Sequence, residues 1–387
     1  MNRSPLHQQA DTLPDLIAET IDPFARAVAE SLPAPVCSNV QRVFLTGCGD
    51  SHHAPLNAEM AFEELAGLPC EPMTAMQFAR YGAGFLPDTG RGSNLVLAVS
   101  VSGAVSRTVE ALRMGRLAGG TAVALTGNTT GPLAAEAEIV LPTAVPPLPA
   151  ELQGMIVPGT RSYIASLLML YLVAIHLGER RSRLTRARAN KERRALAAHA
   201  ELMAETIALS DGPARYAAEQ WRDARQFVYC GSGPHYGTAL FSAAKLLEAS
   251  GDIAIAQEME EWAHLQYFAR EETTPTILIS AGGRDAGRTV EIAAAARAIG
   301  RRVGLVAPRQ TDLLARTAPD QLLPIAAPLH ERYAPLLTCL PPTLFAAYRA
   351  QLLDEPYFRD FGGGRSIEGG GGISRIRSSD QWDTLPD

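Results

Sequence analysis

Residues 94–108 read Asn-Leu-Val-Leu-Ala-Val-Ser-Val-Ser-Gly-Ala-Val-Ser-Arg-Thr. The apolar run at 94–97 is typical of a buried parallel strand, and the pattern from Thr108 onward is helical. A strand that ends in serines and one glycine, directly before a helix, places hydroxyls and backbone N–H groups where a phosphate binds favourably. A serine-capped turn with no ligand has the same local sequence, so other parts of the chain must decide.

A second glycine-rich turn comes earlier in the chain. Residues 47–51 read Gly-Cys-Gly-Asp-Ser, between an apolar run at 43–46 and a helical pattern at 55–65. Glycines at such a turn let the backbone approach a ligand closely, although the spacing is not that of a dinucleotide-binding motif. The two turns together give six candidate phosphate-binding residues: Gly49, Ser51, Ser100, Ser102, Gly103 and Ser106.

Composition limits the class of protein. The chain has 387 residues, of which 47% are hydrophobic and 20% charged, enough for two or three globular domains. A net charge of −6 argues against a general nucleic-acid binder. The five cysteines have no metal-finger or CxxC spacing, so we expect reduced thiols, no metal site and a cytoplasmic protein. The longest apolar stretch, 163–175, predicts a buried helix rather than a membrane span.

Strands alternate with helices throughout. Short β-like runs lie at 43–46, 70–72, 95–99, 121–125 and 139–141. This alternation predicts a parallel sheet in an α/β fold.

An internal repeat extends that prediction. Arg-Thr-Val-Glu at 107–110 recurs at 288–291, 181 residues later, and the same offset superimposes 122–125 on 303–306. We therefore expect two tandem parallel-sheet domains of flavodoxin-like, three-layer αβα type, related by internal duplication. At this offset, Ser100, Ser102 and Ser106 correspond to Ala281, Gly283 and Gly287. Only the first copy is then expected to bind phosphate.

The predicted organisation has five parts. They are an N-terminal helical segment at 1–35, a phosphate-binding domain at 36–180, an interdomain helix at 181–215, a second domain with acid/base residues at 216–350, and a glycine-rich tail at 351–387.

Over residues 36–350 the chain resembles the sugar isomerase (SIS) family in its double-domain form. It is similar to the isomerase half of glucosamine-6-phosphate synthases and to fructosamine-6-phosphate deglycases. The resemblance rests on three stretches. Residues 47–51 resemble the Gly-x-x-Ser motif of the family, 100–103 match its Ser-x-Ser-Gly motif, and 157–161 resemble its Val-x-Ser-Thr-Lys segment. The resemblance implies two SIS-type domains, a phosphosugar substrate, and a substrate contact at Thr160.

The resemblance also implies catalytic residues. The Lys-x-x-Glu helix of the family is matched by Lys245 to Glu248, and the ring-opening histidine by His264, sixteen residues after Glu248. Glu261, three residues before that histidine, corresponds to a family glutamate that contacts substrate. In the family the histidine comes from the partner subunit, which implies a homodimer with active sites at the subunit interface.

Two departures from the family decide between activities. The synthases use a Schiff-base lysine in their C-terminal tail, whereas the lysines here are Lys191 and Lys245. We also expect no glutaminase domain, so the sequence favours deglycation of a fructosamine phosphate, with no cofactor. An aldose–ketose phosphosugar isomerase and a non-catalytic phosphosugar sensor remain alternatives. In the tail, Arg365, Arg375 and Arg377 are candidate contacts to an amino-acid carboxylate.

Overall fold

The computed structural model describes residues 3–88, 90–328 and 330–366. They form two compact units. The first-sheet unit contains Ile17–Pro146 and Ser162–Ala197, with 361–366 assigned to it. The second-sheet unit contains 3–16, Pro147–Arg161 and Ala198–Asp360.

Each unit is built on a five-stranded sheet in which every strand pair is parallel. The first sheet has the order β2-β1-β3-β4-β5, and the second has the equivalent order β7-β6-β8-β9-β10. The α/β fold and its duplication are therefore confirmed. The strands are β1 Arg42–Gly47, β2 Cys70–Thr74, β3 Asn94–Val99, β4 Thr121–Thr126, β5 Ile139–Pro142, β6 Gln226–Gly231, β7 Ile253–Glu258, β8 Thr276–Ile279, β9 Val303–Pro308 and β10 Gln321–Ile325.

Helices connect the strands, as parallel pairing requires. They are α1 Pro5–Asp11, α2 Leu13–Ser31, α3 Ala34–Asn39, α4 Asp50–Ala61, α5 Ala75–Gln77, α6 Ser106–Leu117, α7 Pro132–Glu136, α8 Arg161–Arg180, α9 Arg186–Gln220, α10 Pro234–Ser250, α11 Met259–His264, α12 Ala286–Ala298, α13 Asp312–Thr317, α14 Pro335–Thr338 and α15 Leu340–Leu353. The 35-residue α9 occupies the region predicted as an interdomain helix.

The units divide the chain differently from the predicted boundaries: they split the N-terminal segment after Leu16, the interdomain helix after Ala197 and the tail after Asp360. Residues 147–161, predicted within the first domain, belong to the second-sheet unit. Hydrogen bonds from α1 and the residue after it account for this grouping. The Gln9 side chain accepts from Thr160, and the Arg161 guanidinium donates to the Thr12 hydroxyl at 2.6 Å.

Helix α8 has the length and mean hydropathy of a membrane span, but 89% of its most apolar window is buried inside the fold. It therefore packs as a core helix, as predicted for 163–175. The apolar run of β3 is likewise buried at every position, because helices cover both faces of a parallel sheet.

The duplication is visible in the backbone of the two turns. Gly49 (φ 57°, ψ −130°) and Gly233 (φ 53°, ψ −129°) share a conformation that only glycine adopts easily. A Cβ at Gly47 would lie 2.2 Å from the carbonyl oxygen of Ser51. The equivalent distance from Gly231 to His235 is 2.3 Å. Ser51 and His235 are therefore equivalent positions.

One predicted correspondence is wrong by a residue. Ser100 donates its backbone N–H to Leu125 at 3.0 Å, and Ser280 donates its N–H to Val306 at 3.0 Å. Ser280, not Ala281, is thus the counterpart of Ser100. The loop after β8 has one more residue than the loop after β3, and a constant offset of 181 conceals this insertion.

Candidate active site

The serine loop, residues 100–106, lies at the point where the first sheet reverses its strand order. Strands β1 and β3 are neighbours, with Thr46 opposite Ala98, so the turns that follow them are side by side. In open parallel sheets, ligands bind at this switch point, beyond the carboxyl ends of the strands. The first sheet thus brings together the turns that carry Gly49, Ser51 and Ser100.

Ser100 supplies the clearest sign of an unmet partner. The residue is 2% exposed, and its Oγ atom is buried without a hydrogen-bond partner. A buried hydroxyl costs free energy unless it is paired, so such a group points to a ligand or a water molecule. Ser51 and Ser106 are half-buried, and Ser102 is exposed.

Close packing holds the loop in shape. Gly103 has φ 64°, and a Cβ there would lie 2.9 Å from the Thr126 hydroxyl. Asn128 donates its side-chain N–H to the Ser102 carbonyl oxygen at 3.3 Å. Sequence reasoning missed Asn128, because only the proximity of the β4 and β3 loops gives it a positioning role.

The helices that follow the two turns begin without side-chain caps. Neither Gly49, before α4, nor Val105, before α6, makes a side-chain cap hydrogen bond. Helix N-termini carry partial positive charge from N–H groups without intrahelical partners. Arg107 is committed elsewhere, since it donates to the buried carboxylate of Glu110. The loop thus offers hydroxyls and helix N-termini to an anion, rather than arginine.

Two histidines follow Ser51 directly. Burial, with His53 beside it, lowers the pKa of His52 from 6.5 to about 4, so its imidazole is neutral at pH 7. His53 lies 3.4 Å from the Asp50 carboxylate. The sequence pattern did not indicate that the two histidines are buried or that they lie beside the turn that carries Ser51.

The second sheet fills the equivalent positions with its own groups. His235, the counterpart of Ser51, is fully buried and accepts a hydrogen bond from the Ala281 N–H at 3.2 Å. Ser280 donates to the Asp285 carboxylate at 2.7 Å. Whereas the hydroxyl of Ser100 has no partner, that of Ser280 does.

Glu248 lies on α10 in the second-sheet unit. The buried ammonium group of Lys245, one turn earlier, donates to its Oε2 atom. The Glu248 side chain keeps 27% of its surface exposed, so its carboxylate is reachable from solvent while one oxygen is fixed. A π-helical turn, Phe62–Ala66, continues α4 and ends at Gly67, as α10 ends at Gly251, both glycines in the left-handed conformation. Glu64, three residues before Gly67, is therefore equivalent to Glu248.

His264 ends the short helix α11, and its side chain is 67% exposed. Its Nε2 atom lies 3.4 Å from Glu260, which also pairs with Arg288 at 2.7 Å. Glu261 is exposed as well. An exposed histidine is available to a second molecule, which the expected homodimer requires.

Glu258 stabilises the start of α11. Its Oε2 atom accepts the N–H groups of Glu260 at 2.7 Å and Glu261 at 3.2 Å, which caps α11. Its other oxygen accepts from Ser232, in the turn after β6. Glu258 therefore ties the β6 turn to the start of the helix that carries His264.

Thr160 is buried and bonded within the second-sheet unit. Its N–H and hydroxyl both donate to Oε1 of Gln9, at 2.6 and 2.5 Å. Because the Thr160 hydroxyl already donates its hydrogen to Gln9, it can only accept a hydrogen bond from a substrate. Arg365 is exposed at the end of the described chain. Arg375 and Arg377 lie outside the described residues.

The predicted residues thus form two groups. Gly49, Ser51, Ser100, Ser102, Gly103 and Ser106 belong to the first-sheet unit, whereas Thr160, Glu248, Glu261 and His264 belong to the second-sheet unit. Across the described residues, no cluster of three or more His, Cys, Asp or Glu side chains could hold a metal ion.

Comparison with known proteins agrees with this architecture. Residues 37–176 match the family model of the SIS domain. The isomerizing glutamine–fructose-6-phosphate aminotransferase of Gloeobacter violaceus is 29% identical over 360 residues, which cover 91% of this chain and 56% of that protein. The chain thus spans a little over half the length of the curated relatives it matches.

Solved structures share the fold. The C-terminal domain of glucosamine-fructose-6-phosphate aminotransferase from Francisella tularensis superimposes with a TM-score of 0.78 at 19% identity, covering 92% of this chain and 97% of that one. A glucosamine-6-phosphate deaminase from Thermotoga maritima superimposes with a TM-score of 0.65 at 16% identity, covering 90% and 94%.

Proposed function

Because residues 37–176 match the family model of the SIS domain, we propose that this chain is a phosphosugar-processing enzyme, a fructosamine-6-phosphate-type deglycase. The observation that carries the proposal is the buried, unpartnered hydroxyl of Ser100 at the β1/β3 switch point. The substrate phosphate binds to the hydroxyls of Ser51, Ser100, Ser102 and Ser106, and to the N-terminus of α6.

Glu248 is the proposed proton shuttle. The substrate has an amine on C1 and a carbonyl at C2. Glu248 takes a proton from C1 while the C2 oxygen gains one from water, which gives an enaminol. Glu248 then returns its proton to C2, which gives a protonated imine at C1. Water then hydrolyses this imine to an aldose phosphate and a free amine. The Lys245 ammonium orients the carboxylate for both transfers.

His264 opens the sugar ring from the partner subunit in this proposal. Its exposure on α11 supports that role, because a side chain used in trans must be reachable from outside its own chain. The chain thus acts as a cytoplasmic homodimer without cofactor, on a phosphorylated sugar or sugar amine. Residues 246–387 contain no lysine, so this stretch supplies no amine for a Schiff base with a ketose.

A substrate panel tests the proposal. Fructosamine 6-phosphates, fructose 6-phosphate and glucosamine 6-phosphate are offered separately, and both the sugar phosphate product and the released amine are measured. We expect amine release from the fructosamine phosphates, and none from Glu248→Gln, which should bind phosphosugar within a few-fold of the wild type. Isomerisation without amine release would identify an aldose–ketose isomerase instead. Tight binding without any turnover would identify a sensor.

A further inference from the structure

The loop after β8 carries an internal carboxylate. Glu331 accepts the backbone N–H of Arg284 through Oε1 at 3.0 Å. Its Oε2 atom lies 3.7 Å from Nε of Arg284. A carboxylate that accepts a backbone N–H and also faces a guanidinium is placed as a bound oxyanion would be.

The loop leaves space for this carboxylate by the choice of residue. A Cβ at Gly283 would lie 2.2 Å from Oε1 and 2.3 Å from Cδ of Glu331, so any other residue would displace it. The side chain of Glu331 is 19% exposed, and it therefore sits in the loop rather than on the open surface.

Helix α12 begins at this loop, and the side chain of its N-cap residue bonds elsewhere. Asp285, at the N-cap position, makes no side-chain cap hydrogen bond, because its carboxylate accepts from Ser280 instead. The 13-residue α12 thus begins without a side-chain cap. The carboxylate of Glu331, which is distant in sequence, lies beside this helix start. Asp285 also has a buried oxygen, Oδ2, without a hydrogen-bond partner.

Comparison of the two sheets explains the arrangement. In the first sheet the Ser100 hydroxyl at the same strand end is unpartnered. In the second sheet Ser280, His235 and Glu331 are all engaged with the loop. Both observations are explained if an oxyanion site was duplicated and side chains of the protein itself then came to occupy the copy in the second sheet.

We propose that the loop 280–285 is a second oxyanion site, which the chain occupies with its own Glu331 carboxylate. Removal of that carboxylate leaves the Arg284 N–H without its acceptor, beside a guanidinium that is already exposed, and a phosphate-sized oxyanion then binds there. The wild-type chain accordingly takes one external phosphate group rather than two. This inference stands apart from the proposed function, because it concerns the other sheet and needs no catalytic activity.

The test is chemical rescue of Glu331→Ala by inorganic phosphate. We expect the variant to have a lower melting temperature than the wild type in chloride. Phosphate at the same ionic strength should raise the melting temperature of the variant by at least ~2 °C more than that of the wild type, because a ligand that binds only the folded state stabilises it. The exposed Glu219→Ala, on α9, is the matched control and should respond as the wild type does.

Stoichiometry supplies the second measurement. Titration calorimetry with inorganic phosphate should find one more site per chain in Glu331→Ala than in the wild type, whether the wild type has one or none. If no phosphate binds at the loop that carries Ser100, the number of sites falls equally in the variant and in the wild type. The difference of one site between them therefore tests the loop 280–285 alone. If Glu331→Ala does not fold, Glu331→Ser, whose short polar side chain also leaves the loop empty, takes its place. Equal rescue and equal stoichiometry in variant and wild type would overturn the proposal.

Discussion

Gln9 and Thr160 lie 151 residues apart in the chain, and one oxygen of the glutamine side chain accepts both the N–H and the hydroxyl of the threonine. All these atoms belong to residues that are at most 5% exposed. This pair attaches the segment after β5 to α1 within the second-sheet unit.

Replacing Gln9 with alanine should therefore destabilise the fold. Two buried donors of Thr160 would lose their acceptor, which costs about 1–3 kcal/mol each when no water replaces it. Urea unfolding measures the change, with Gln8→Ala as the control, since Gln8 makes its hydrogen bond at the surface. Equal unfolding midpoints for the two variants would contradict the expectation.

Ser100→Ala and Ser280→Ala form a matched pair with opposite effects. Ser100→Ala removes an unpartnered hydroxyl, so the free energy of unfolding should not fall, whereas KM for the phosphosugar should rise about tenfold, the equivalent of ~1.4 kcal/mol. Ser280→Ala leaves the buried Asp285 without its donor, so it should cost about 1–3 kcal/mol of stability without a change in KM. A loss of stability in Ser100→Ala with unchanged KM would show that its hydroxyl is structural.

Lys245→Met should separate turnover from binding. The carboxylate of Glu248 would lose the ammonium group that orients it, so kcat should fall by about tenfold or more, with KM within about threefold of the wild type. Steady-state kinetics on the fructosamine phosphate measures both constants, and circular dichroism confirms folding. Lys191→Met, at an exposed position of α9, is the control and should match the wild type.

His235 should make stability depend on pH. Burial lowers its pKa from 6.5 to about 4 in the folded state, against the opposing effect of Glu331. Between these values the unfolded chain binds a proton that the folded chain does not, so stability is lost as pH falls from about 6.5 towards about 4. For this one group the loss is on the order of 3 kcal/mol.

The variant His235→Gln keeps a hydrogen-bond acceptor for Ala281 and removes the titration. Its unfolding free energy should fall less than that of the wild type between pH 7 and pH 4.5. Parallel urea unfolding at the two pH values gives the comparison. If both proteins lose the same amount, the buried imidazole is not the source of the pH dependence.

Mixed dimers test the use of His264 in trans. Glu248→Gln and His264→Ala are each expected to be inactive alone. If Glu248 and His264 of one site come from different chains, a mixed dimer regains one intact site, and random mixing gives about a quarter of wild-type activity. Sites built within one chain would give no activity in any mixture. Gel filtration of each variant shows whether dimers form at all.

Much of the fold could be predicted from local sequence, because apolar runs bounded by glycine and serine turns specify buried parallel strands. Strands β1, β3 and β4 lie within a residue or two of their predicted positions. The serine loop was equally visible, since its residues are contiguous. Local pattern sufficed wherever the relevant contacts were themselves local.

The remaining features depend on contacts between distant residues. The counterpart of Ser100 was misassigned because a one-residue insertion does not alter the repeated Arg-Thr-Val-Glu motif. Glu331 lies 47 residues from Arg284, and no periodicity connects them. The attachment of 147–161 to α1 likewise required the structure, since it depends on Gln9 and Thr160.

The buried position of Lys245 has a further consequence for the surface chemistry of the chain. With Lys245 paired inside α10, Lys191 is the one exposed lysine in the sequence, and the other basic side chains are arginines and histidines. Open-chain sugars condense with primary amines, so the proposed sugar substrate would meet a single exposed side-chain amine on this chain. Among the side chains, amine-reactive reagents should accordingly label Lys191, which gives a single defined attachment point on α9.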